Sequence, residues 1–427
     1  MVVDYIDALT ASTNVYGYST LSESFIAGQV VANAAASVSF TTAAVAERPH
    51  FYKWTPYADD TTTYGTMPTD AAIGCLYRGR TVLAGNQKFP YQWYMSRSGN
   101  PWNWFYFSTD ALSAVAGTDA DAGEMGDIIQ ALITYNDDYL IIGGGSTIYV
   151  MRGDPAAGGS LDKLTDTTGI YGPHAWAWDN ARNLYFWGTQ GIYRLSADLR
   201  NVENLTITTL PELVKDEAAN PETHTITMGY DQIRNGIVVC ITKIADGTNS
   251  NYWYDLRTQG FFPESYPVAA AVYSNVYYDS NDKSLQGLLL GCTDGYVRVF
   301  DDTAKDDDQG ATDATIDSYV AIGPFAIGQD ADSRGRLKTL SITTGTNTDG
   351  VDYGLFVADS AEEIVDDIVA LATPFNGGTI AAGNRVQQTR PRSRGAWLGL
   401  KLQNDTASES WEFEKIVAGI KPAGDIK

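Results

Sequence analysis

The sequence predicts an all-β fold, a β-propeller of five or six blades followed by a C-terminal β-sandwich. Three stretches repeat an apolar strand, a Gly-rich turn and a second strand with an early aromatic residue: Leu140–Met151, Leu184–Leu195 and Leu288–Val299. Looser copies are Thr81–Met95 and Ile237–Leu256. The first strands begin near positions 82, 140, 184, 237 and 288, so the period is 44 to 58 residues. Such a period, made only of strands, is typical of propellers with one four-stranded sheet per blade.

Composition supports this fold class and limits the partners. The 427 residues include 26 Tyr and 10 Trp, which favour strands. The net charge of −23 argues against a protein that coats nucleic acid or anionic membranes, because phosphate binding requires an excess of Lys and Arg. No stretch is long and apolar enough to span a bilayer, and no basic residue precedes Arg48, so we expect neither membrane insertion nor a secretory signal.

The chain divides into three predicted parts. Residues 1–60 form an N-terminal arm and a candidate first, irregular blade, in which Val30–Thr41 and His50–Tyr57 alternate like strands. Residues 61–303 form the propeller. Residues 304–427 form an acidic linker and a β-sandwich domain. The predicted blades are Cys75–Phe107, Ile128–Leu164, His174–Ile207, His224–Phe262 and Val268–Phe300.

Turns within the blades, such as those at Asn136 and Asp231, are rich in Asp and Asn, which tolerate the left-handed backbone of tight hairpins. The segment Asp301–Asp317 holds seven Asp and one Lys and reads as a solvated linker. A calcium site remains the alternative for both, although the spacing does not fit an EF-hand. In the predicted sandwich, Ser360–Glu363 could be a capping box that opens a short helix. The predicted sandwich strands are Leu337–Thr343, Tyr353–Val357, Ala396–Leu402 and Trp411–Ala418.

No residue set predicts catalysis, a cofactor or a metal. The histidines, His50, His174 and His224, lack metal-ligand spacing, and His174 lies in an aromatic strand as a core or interface residue. Gly143–Gly145 lies in a hairpin, where a phosphate loop would need a helix behind it. Ser96–Trp102 has nearly the shape of a sialidase Asp box but lacks the Asp. The cysteines are best explained as buried thiols: Cys75, Cys240 and Cys292.

One segment is basic although the chain as a whole is acidic. Gly377–Lys401 contains five cations and no acidic residue. The segment is either a sandwich edge that pairs with acids of its own chain or a surface that binds an acidic region of a neighbouring subunit. Arginine suits the second role because its planar fork binds carboxylates with two hydrogen bonds. The candidate subunit-interface residues are Arg385, Arg390, Arg392 and Arg394.

The predicted blades resemble a known family. Tyr91–Trp104, YQWYMSRSGNPWNW, resembles the W-S-x-x-G-[DN]-P-x-x-W turn of propeller proteins in the tails of short-tailed bacteriophages. Asp127–Gly153, Tyr171–Leu195 and Tyr230–Phe262 are similar, in the same order, to the next three blades. The resemblance covers roughly residues 70–303, and the N-terminal stretch and the sandwich lie outside it.

The family implied is the tail nozzle, also called the tail tube or packaged-DNA-stabilising protein. Its members form a homohexameric ring below the portal and adaptor, around the DNA exit path, and have no catalytic residues. The resemblance therefore implies a structural virion protein assembled in the host cytoplasm, with DNA passing through without tight binding. The alternative is a soluble propeller that binds or hydrolyses glycans in the manner of a sialidase, with two carboxylates facing one pocket.

Overall fold

The computed structural model has two compact units, Met1–Thr62 and Thr63–Lys427. In the first unit, β1 (Val2–Leu9) pairs with β2 (Ser12–Tyr18), and β3 (Val30–Ala32) pairs with β4 (Ser39–Thr41). Both ends of the segment predicted as strand over 30–41 are therefore strands, and positions 33–38 lie outside the described residues. Of the strand predicted over 50–57, positions 50–53 lie outside the described residues and 54–57 form no strand. The structure describes residues 2–9, 12–18, 30–32, 39–41, 54–57, 60–106, 109–118, 120–309, 313–328, 333–384 and 386–425.

After the one-turn helix α1 (Thr61–Tyr64), the second unit begins with five antiparallel meanders, here called sheets 1 to 5. Each strand in them pairs with the next strand along the chain. Sheet 1 is β5 (Ile73–Tyr77), β6 (Arg80–Ala84), β7 (Trp93–Met95) and β8 (Val115–Ala116). Sheet 2 is β9 (Ile129–Thr134), β10 (Tyr139–Gly144), β11 (Ile148–Arg152) and β12 (Ser160–Thr165).

Sheets 3 to 5 continue the pattern, and the short helix α2 (Leu213–Glu217) lies between sheets 3 and 4 in the chain. Sheet 3 is β13 (Trp176–Trp178), β14 (Leu184–Gly188), β15 (Gly191–Leu195) and β16 (Val202–Asn204). Sheet 4 is β17 (His224–Asp231), β18 (Gly236–Lys243), β19 (Asn249–Asp255) and β20 (Gly260–Glu264). Sheet 5 is β21 (Val272–Tyr278), β22 (Gly287–Cys292) and β23 (Val297–Val299).

The five sheets pack face to face in a row. In β10, Leu140 and Ile142 belong to the core shared with sheet 1, whereas Ile141 belongs to the core shared with sheet 3. Residues on both faces are therefore buried, which explains why the strand is apolar without alternation. Equivalent cores join sheets 3 and 4 and sheets 4 and 5. The predicted all-β fold with propeller-type meanders is confirmed.

The two ends of this row differ from its middle. None of the described core clusters contains residues of both sheet 1 and sheet 5. Within the described residues sheet 5 has three strands, where the sequence predicted four. Its outer face exposes Val276, Val297 and Val299, and on sheet 1 Leu76 is also exposed. The end sheets therefore keep apolar surface that the middle sheets bury.

The C-terminal strands form the predicted β-sandwich. The elements are β24 (Asp306–Asp307), β25 (Ala314–Thr315), β26 (Ser318–Ala326), β27 (Ser333–Thr344), β28 (Val351–Ala358), α3 (Ala361–Val369), β29 (Asn376–Ile380), β30 (Val386–Thr389), β31 (Arg394–Gly395), β32 (Trp397–Asn404) and β33 (Phe413–Asp425). Sheet 6 has the order β26-β32-β28-β29, and in sheet 7 the strands β30, β31 and β33 all pair with the long β27. Leu337 and Leu340 of sheet 7 pack on Leu355 and Leu400 of sheet 6.

Local signals in the sequence account for several element ends. The Ser360 hydroxyl caps α3 by accepting a hydrogen bond from the Glu363 backbone N–H at 3.1 Å, as the capping motif predicts. The Asn136 side chain accepts from the N–H groups of Asp138 and Tyr139 and closes the hairpin between β9 and β10. The predicted boundaries at 60 and 304 remain predictions, since sheets 1 to 5 and the sandwich lie in one compact unit.

Candidate interaction surface on the C-terminal sandwich

A row of three cations crosses sheet 7. In the antiparallel register Arg336 of β27 lies opposite Arg394 of β31 on one side and opposite Lys421 of β33 on the other. All three residues are exposed. Like charges directly opposite one another in a sheet are destabilising. The row therefore costs the isolated chain free energy, and a negative partner would remove that cost.

Two further arginines extend the row. Arg390 and Arg392 lie in the segment between β30 and β31 and are exposed. This segment runs alongside β27, because the Leu337 N–H of that strand donates a hydrogen bond to the Ser393 carbonyl at 3.1 Å. Arg392 adopts a left-handed backbone, with φ of 52°. The five residues are called the basic surface below: Arg336, Arg390, Arg392, Arg394 and Lys421.

The basic surface has no negative partner within the described part of the chain. None of its five residues forms an ion pair or side-chain hydrogen bond there. By contrast Arg334, two positions before Arg336, pairs with Asp359, with 3.0 Å between Nε and Oδ1. The chain has 52 acidic residues, but among the described residues no ion pair joins any of them to these five cations. The first explanation of the basic segment, pairing with acids of its own chain, therefore finds no support at the three described arginines.

The sequence located only part of this surface. Arg390, Arg392 and Arg394 come together as expected, but Arg385 lies outside the described residues. Lys401, which the sequence counted in the same basic segment, lies on β32 of sheet 6 and is buried. Sequence reasoning missed Arg336 and Lys421. The alternation of cations at Arg334, Arg336 and Lys338 was the available signal, since alternate residues of a strand share a face.

The histidines do not form a site in the described residues. His174 is exposed and precedes β13, so the first of its two interpretations, a core residue, was wrong, and the second, an interface residue, stays a prediction. The His224 Nδ1 lies 2.8 Å from the Thr223 hydroxyl. His50 lies outside the described residues. No group of three or more His, Cys, Asp or Glu close enough to hold a metal occurs in the described ranges.

The cysteines are free thiols held protonated by burial. Cys240 is fully buried, as predicted, whereas Cys75 and Cys292 are only half-buried. Burial raises the pKa of Cys75 to about 11 and also raises the pKa values of the other two thiols. A thiol is a poor nucleophile until it ionises. None of the three is therefore activated at neutral pH.

The Gly-rich turn between β10 and β11 is occupied by a side chain of the protein itself. The Asp127 carboxylate accepts hydrogen bonds from the backbone N–H groups of Ser146 and Thr147 at 2.7 and 3.0 Å. Burial raises its pKa, but the hydrogen bonds outweigh burial and hold the pKa below its ordinary value. The donors that a phosphate would need are thus already used.

Two carboxyl groups near the end of sheet 4 have raised pKa values. Burial, together with the nearby carboxylates of Glu264 and Asp306, raises the pKa of Asp307 to about 6. Burial also raises the pKa of Glu264, although the Tyr266 hydroxyl donates a hydrogen bond to its carboxylate at 2.5 Å. This neighbourhood can retain a proton near neutral pH, which is a property that hydrolases use for acid catalysis.

Comparison with known proteins gives no family. No family model and no curated protein matches the chain. Among solved structures it is similar to an extracellular domain of the putative one-component system BT4673 from B. thetaiotaomicron, with 12% identity, TM-score 0.32 and coverage of 54% of this chain and 28% of that one. The tricorn protease gives 10% identity, TM-score 0.32 and coverage of 61% and 22%.

A third similar structure is the Bombyx mori GH32 beta-fructofuranosidase BmSUC1, with 10% identity, TM-score 0.21 and coverage of 84% and 81%. The chain spans less than a third of the length of the first two structures. Scores this low carry no argument about function. In the described part of the chain no helix has the length and apolar character to cross a membrane.

Proposed function

We propose that this protein is a structural component of a short phage tail that forms a ring, of six subunits, around the DNA exit path. The observation that carries the proposal is the row Arg394–Arg336–Lys421, a repulsive set of cations on a chain of net charge −23. The order of the blade motifs, which resembles that of tail nozzle proteins, supports the same conclusion.

The basic surface supplies one half of the ring contact. A surface that is positive cannot bind its own copy, so its partner is a different, acidic region of the next subunit. A contact between two different surfaces rotates each subunit relative to the one before it, and the subunits form a closed ring when these rotations add up to a full turn. Each arginine guanidinium can form two parallel hydrogen bonds to one carboxylate, which strengthens such a contact and fixes its geometry. Charge complementarity also offsets the repulsion between subunits that each carry −23.

The acidity of the chain fits a conduit. Carboxylates that line a lumen repel DNA phosphates over a Debye length of about 8–10 Å, so DNA passes without tight binding. In this proposal the remaining partners are the portal, the adaptor and other tail proteins. The protein is a virion component that acts by assembly and catalyses no reaction.

The second candidate function is a propeller that binds or hydrolyses glycans, and one observation favours it. The pKa of Asp307 is raised to about 6, and the carboxylate of Glu264 is close enough to contribute to that rise. A raised carboxyl pKa is what a glycosidase requires of its acid. Such an enzyme would work as a monomer with one pocket.

Electron microscopy of the purified protein and of isolated tails tests the proposal. The expected result is a ring whose lumen admits duplex DNA and is lined mainly by Asp, Glu and neutral polar residues. The same preparation should release no sugar from sialosides. A lone propeller in the images, or turnover of a glycan that is abolished in Asp307→Asn, would replace the tail function by the second candidate.

A further inference from the structure

Helix α3 carries a set of like charges whose sign is opposite to that of the basic surface. Glu362, Glu363, Asp366 and Asp367 all lie on this helix, and its last turn contains no basic residue. Like charges four positions apart, as in Glu362 and Asp366, destabilise a helix. Among the described residues no ion pair and no side-chain hydrogen bond involves these four carboxylates. The four residues are called the acidic helix face below.

The helix dipole accounts for only half of this set. Glu362 and Glu363 lie in the first turn, where a negative charge interacts favourably with the positive end of the dipole. Asp366 and Asp367 lie toward the C-terminal end, where a negative charge is unfavourable. The stability of the helix itself therefore does not explain these two aspartates.

The helix lies on the outer face of sheet 6. Its buried residue Ile364 packs on Phe356 and Ala358 of β28, whereas Leu355 of the same strand packs in the core shared with sheet 7. A Cβ atom on Gly399 of β32 would come within 2.5 Å of the Ile364 Cγ2, so a glycine there lets the helix lie close to the sheet. This packing leaves the acidic helix face on the side that points away from sheet 7.

The basic surface lies on the opposite side of the sandwich. Arg336 is exposed between Gly335 and Leu337, which are both buried, so its side chain is on the outer face of sheet 7. The thickness of the sandwich therefore separates the acidic helix face from the basic surface. The two sets of charges cannot neutralise each other within one sandwich, but they can meet when two copies of the chain come together.

Both surfaces also expose apolar side chains. Val365 and Val369 are exposed and share the outward stripe of Glu362, because residues three and seven positions apart lie on one side of a helix. On sheet 7, Val417 is exposed and lies on the same face as Lys421, because alternate residues of a strand share a face. A contact between the two surfaces would therefore bury apolar area as well as pair charges.

The acidic linker that begins at Asp301 is a weaker partner for the basic surface. Its carboxylates already bind groups of their own chain. Asp306 accepts a hydrogen bond from the Ser408 backbone N–H at 2.9 Å, and Asp308 pairs with Arg298 at 3.2 Å. Carboxylates with such partners gain less from a new cation than the carboxylates of the acidic helix face do.

We propose that the acidic helix face of one copy of this chain binds the basic surface of the next copy, with Glu362 and Asp366 paired to Arg336 and Arg394. The inference rests on the proposed ring and names the partner of its basic surface. Because the two surfaces lie on opposite sides of one sandwich, each copy binds one neighbour through its helix and another through its sheet. A ring needs this arrangement, in which two different surfaces form every contact.

A charge exchange followed by mass photometry of the full-length protein tests the contact. The helix variant carries Glu362→Lys and Asp366→Lys, and the sheet variant carries Arg336→Glu and Arg394→Glu. Each variant alone should lower the fraction of rings about tenfold or more, because like charges then face each other across the contact. An equimolar mixture of the two should form rings again, because every helix then meets a surface of opposite sign. A role within one chain cannot be restored by mixing.

The matched control is Asp216→Lys with Glu222→Lys, which makes the same change of net charge at two exposed acids elsewhere in the chain. It should assemble like the wild type. Circular dichroism and the unfolding temperature show whether each variant is folded. Should the helix variant unfold, Glu362→Gln with Asp366→Asn nearly keeps the side-chain sizes and must still lower the fraction of rings.

The outcomes separate this contact from the ring itself. A wild type that stays monomeric at low salt overturns the proposed ring, and this contact with it. Wild-type rings together with equally abundant rings of the helix variant overturn the contact alone. Two variants that each fail to assemble, and whose mixture also fails, show that the two surfaces do not pair and overturn the contact as well.

Discussion

Sheets 1 to 5 and the sandwich use their cations differently. In the row of sheets, most of the arginines bind groups of their own chain. Arg80 is the extreme case, since it is fully buried beside Asp154. Its guanidinium also donates to the carbonyls of Ser96, Ala111 and Ser113. In the sandwich, Arg336 and Arg394 are exposed and lie opposite each other, and no carboxylate of the described residues pairs with either of them.

The difference separates charges that stabilise the fold from charges that are available to a partner. A buried guanidinium whose hydrogen bonds are all made fixes the position of neighbouring elements, here sheets 1 and 2. An exposed row of like charges stabilises nothing within the chain. We therefore propose that the row serves a contact outside the single subunit. This inference is the basis of the proposed ring contact.

The largest effect on the free energy of unfolding is expected at the buried arginine, Arg80. Arg80→Met should lower the free energy of unfolding by about 3–5 kcal/mol, because it leaves the Asp154 carboxylate partly buried without its partner. It also leaves three backbone carbonyls without their donor. Urea denaturation, followed by tryptophan fluorescence, measures the change.

The matched control is Arg97→Met. Arg97 pairs with Asp110 at 2.7 Å, but both side chains are substantially exposed. Exposed pairs contribute little, so the loss should stay below about 1 kcal/mol. If both substitutions cost the same, the distinction between structural and available cations fails.

The next effect depends on pH. The pKa of Asp307 is raised to about 6 in the folded protein, so folding favours its protonated form. Its stabilising contribution is complete below about pH 4 and is lost as the pH rises through 6. Asp307→Asn should therefore be more stable than the wild type at pH 7.5, by about 1 kcal/mol after allowance for partial exposure, and equally stable at pH 4.

Thermal unfolding at the two pH values measures this difference. Asp308→Asn is the control, because Asp308 is exposed and its carboxylate pairs with Arg298 at 3.2 Å. That substitution should not stabilise the protein at pH 7.5. Equal behaviour of the two variants would mean that burial does not hold a proton on Asp307.

The smallest effect on stability is expected at the basic surface. Replacing Arg390, Arg392 and Arg394 with Ser should change the free energy of unfolding by less than about 0.5 kcal/mol per site, because these side chains are exposed and have no described partner. A loss of several kcal/mol in urea denaturation would show that the arginines serve the fold.

Sheets 1 to 5 could be predicted from the sequence because each of them is built from strands that are consecutive in the chain. The repeated strand and turn at Leu184–Leu195 became β14 and β15, and the acidic segment after Asp301 separates sheet 5 from the sandwich strands. The candidate surfaces depend on long-range pairing. Lys421 meets Arg336 only because β33 pairs with β27, and Lys401 is separated from the arginines because β32 joins the other sheet.

The most direct test of the ring contact is mass photometry of the wild type, the triple Arg→Ser variant and Arg334→Ser over a series of salt concentrations. The proposed function predicts a wild-type ring that dissociates as salt rises, since exposed charges are screened. It predicts a triple variant that remains monomeric in all conditions. Arg334→Ser, which breaks the pair with Asp359, should assemble like the wild type. Rings of equal mass and salt dependence in all three proteins would contradict the account.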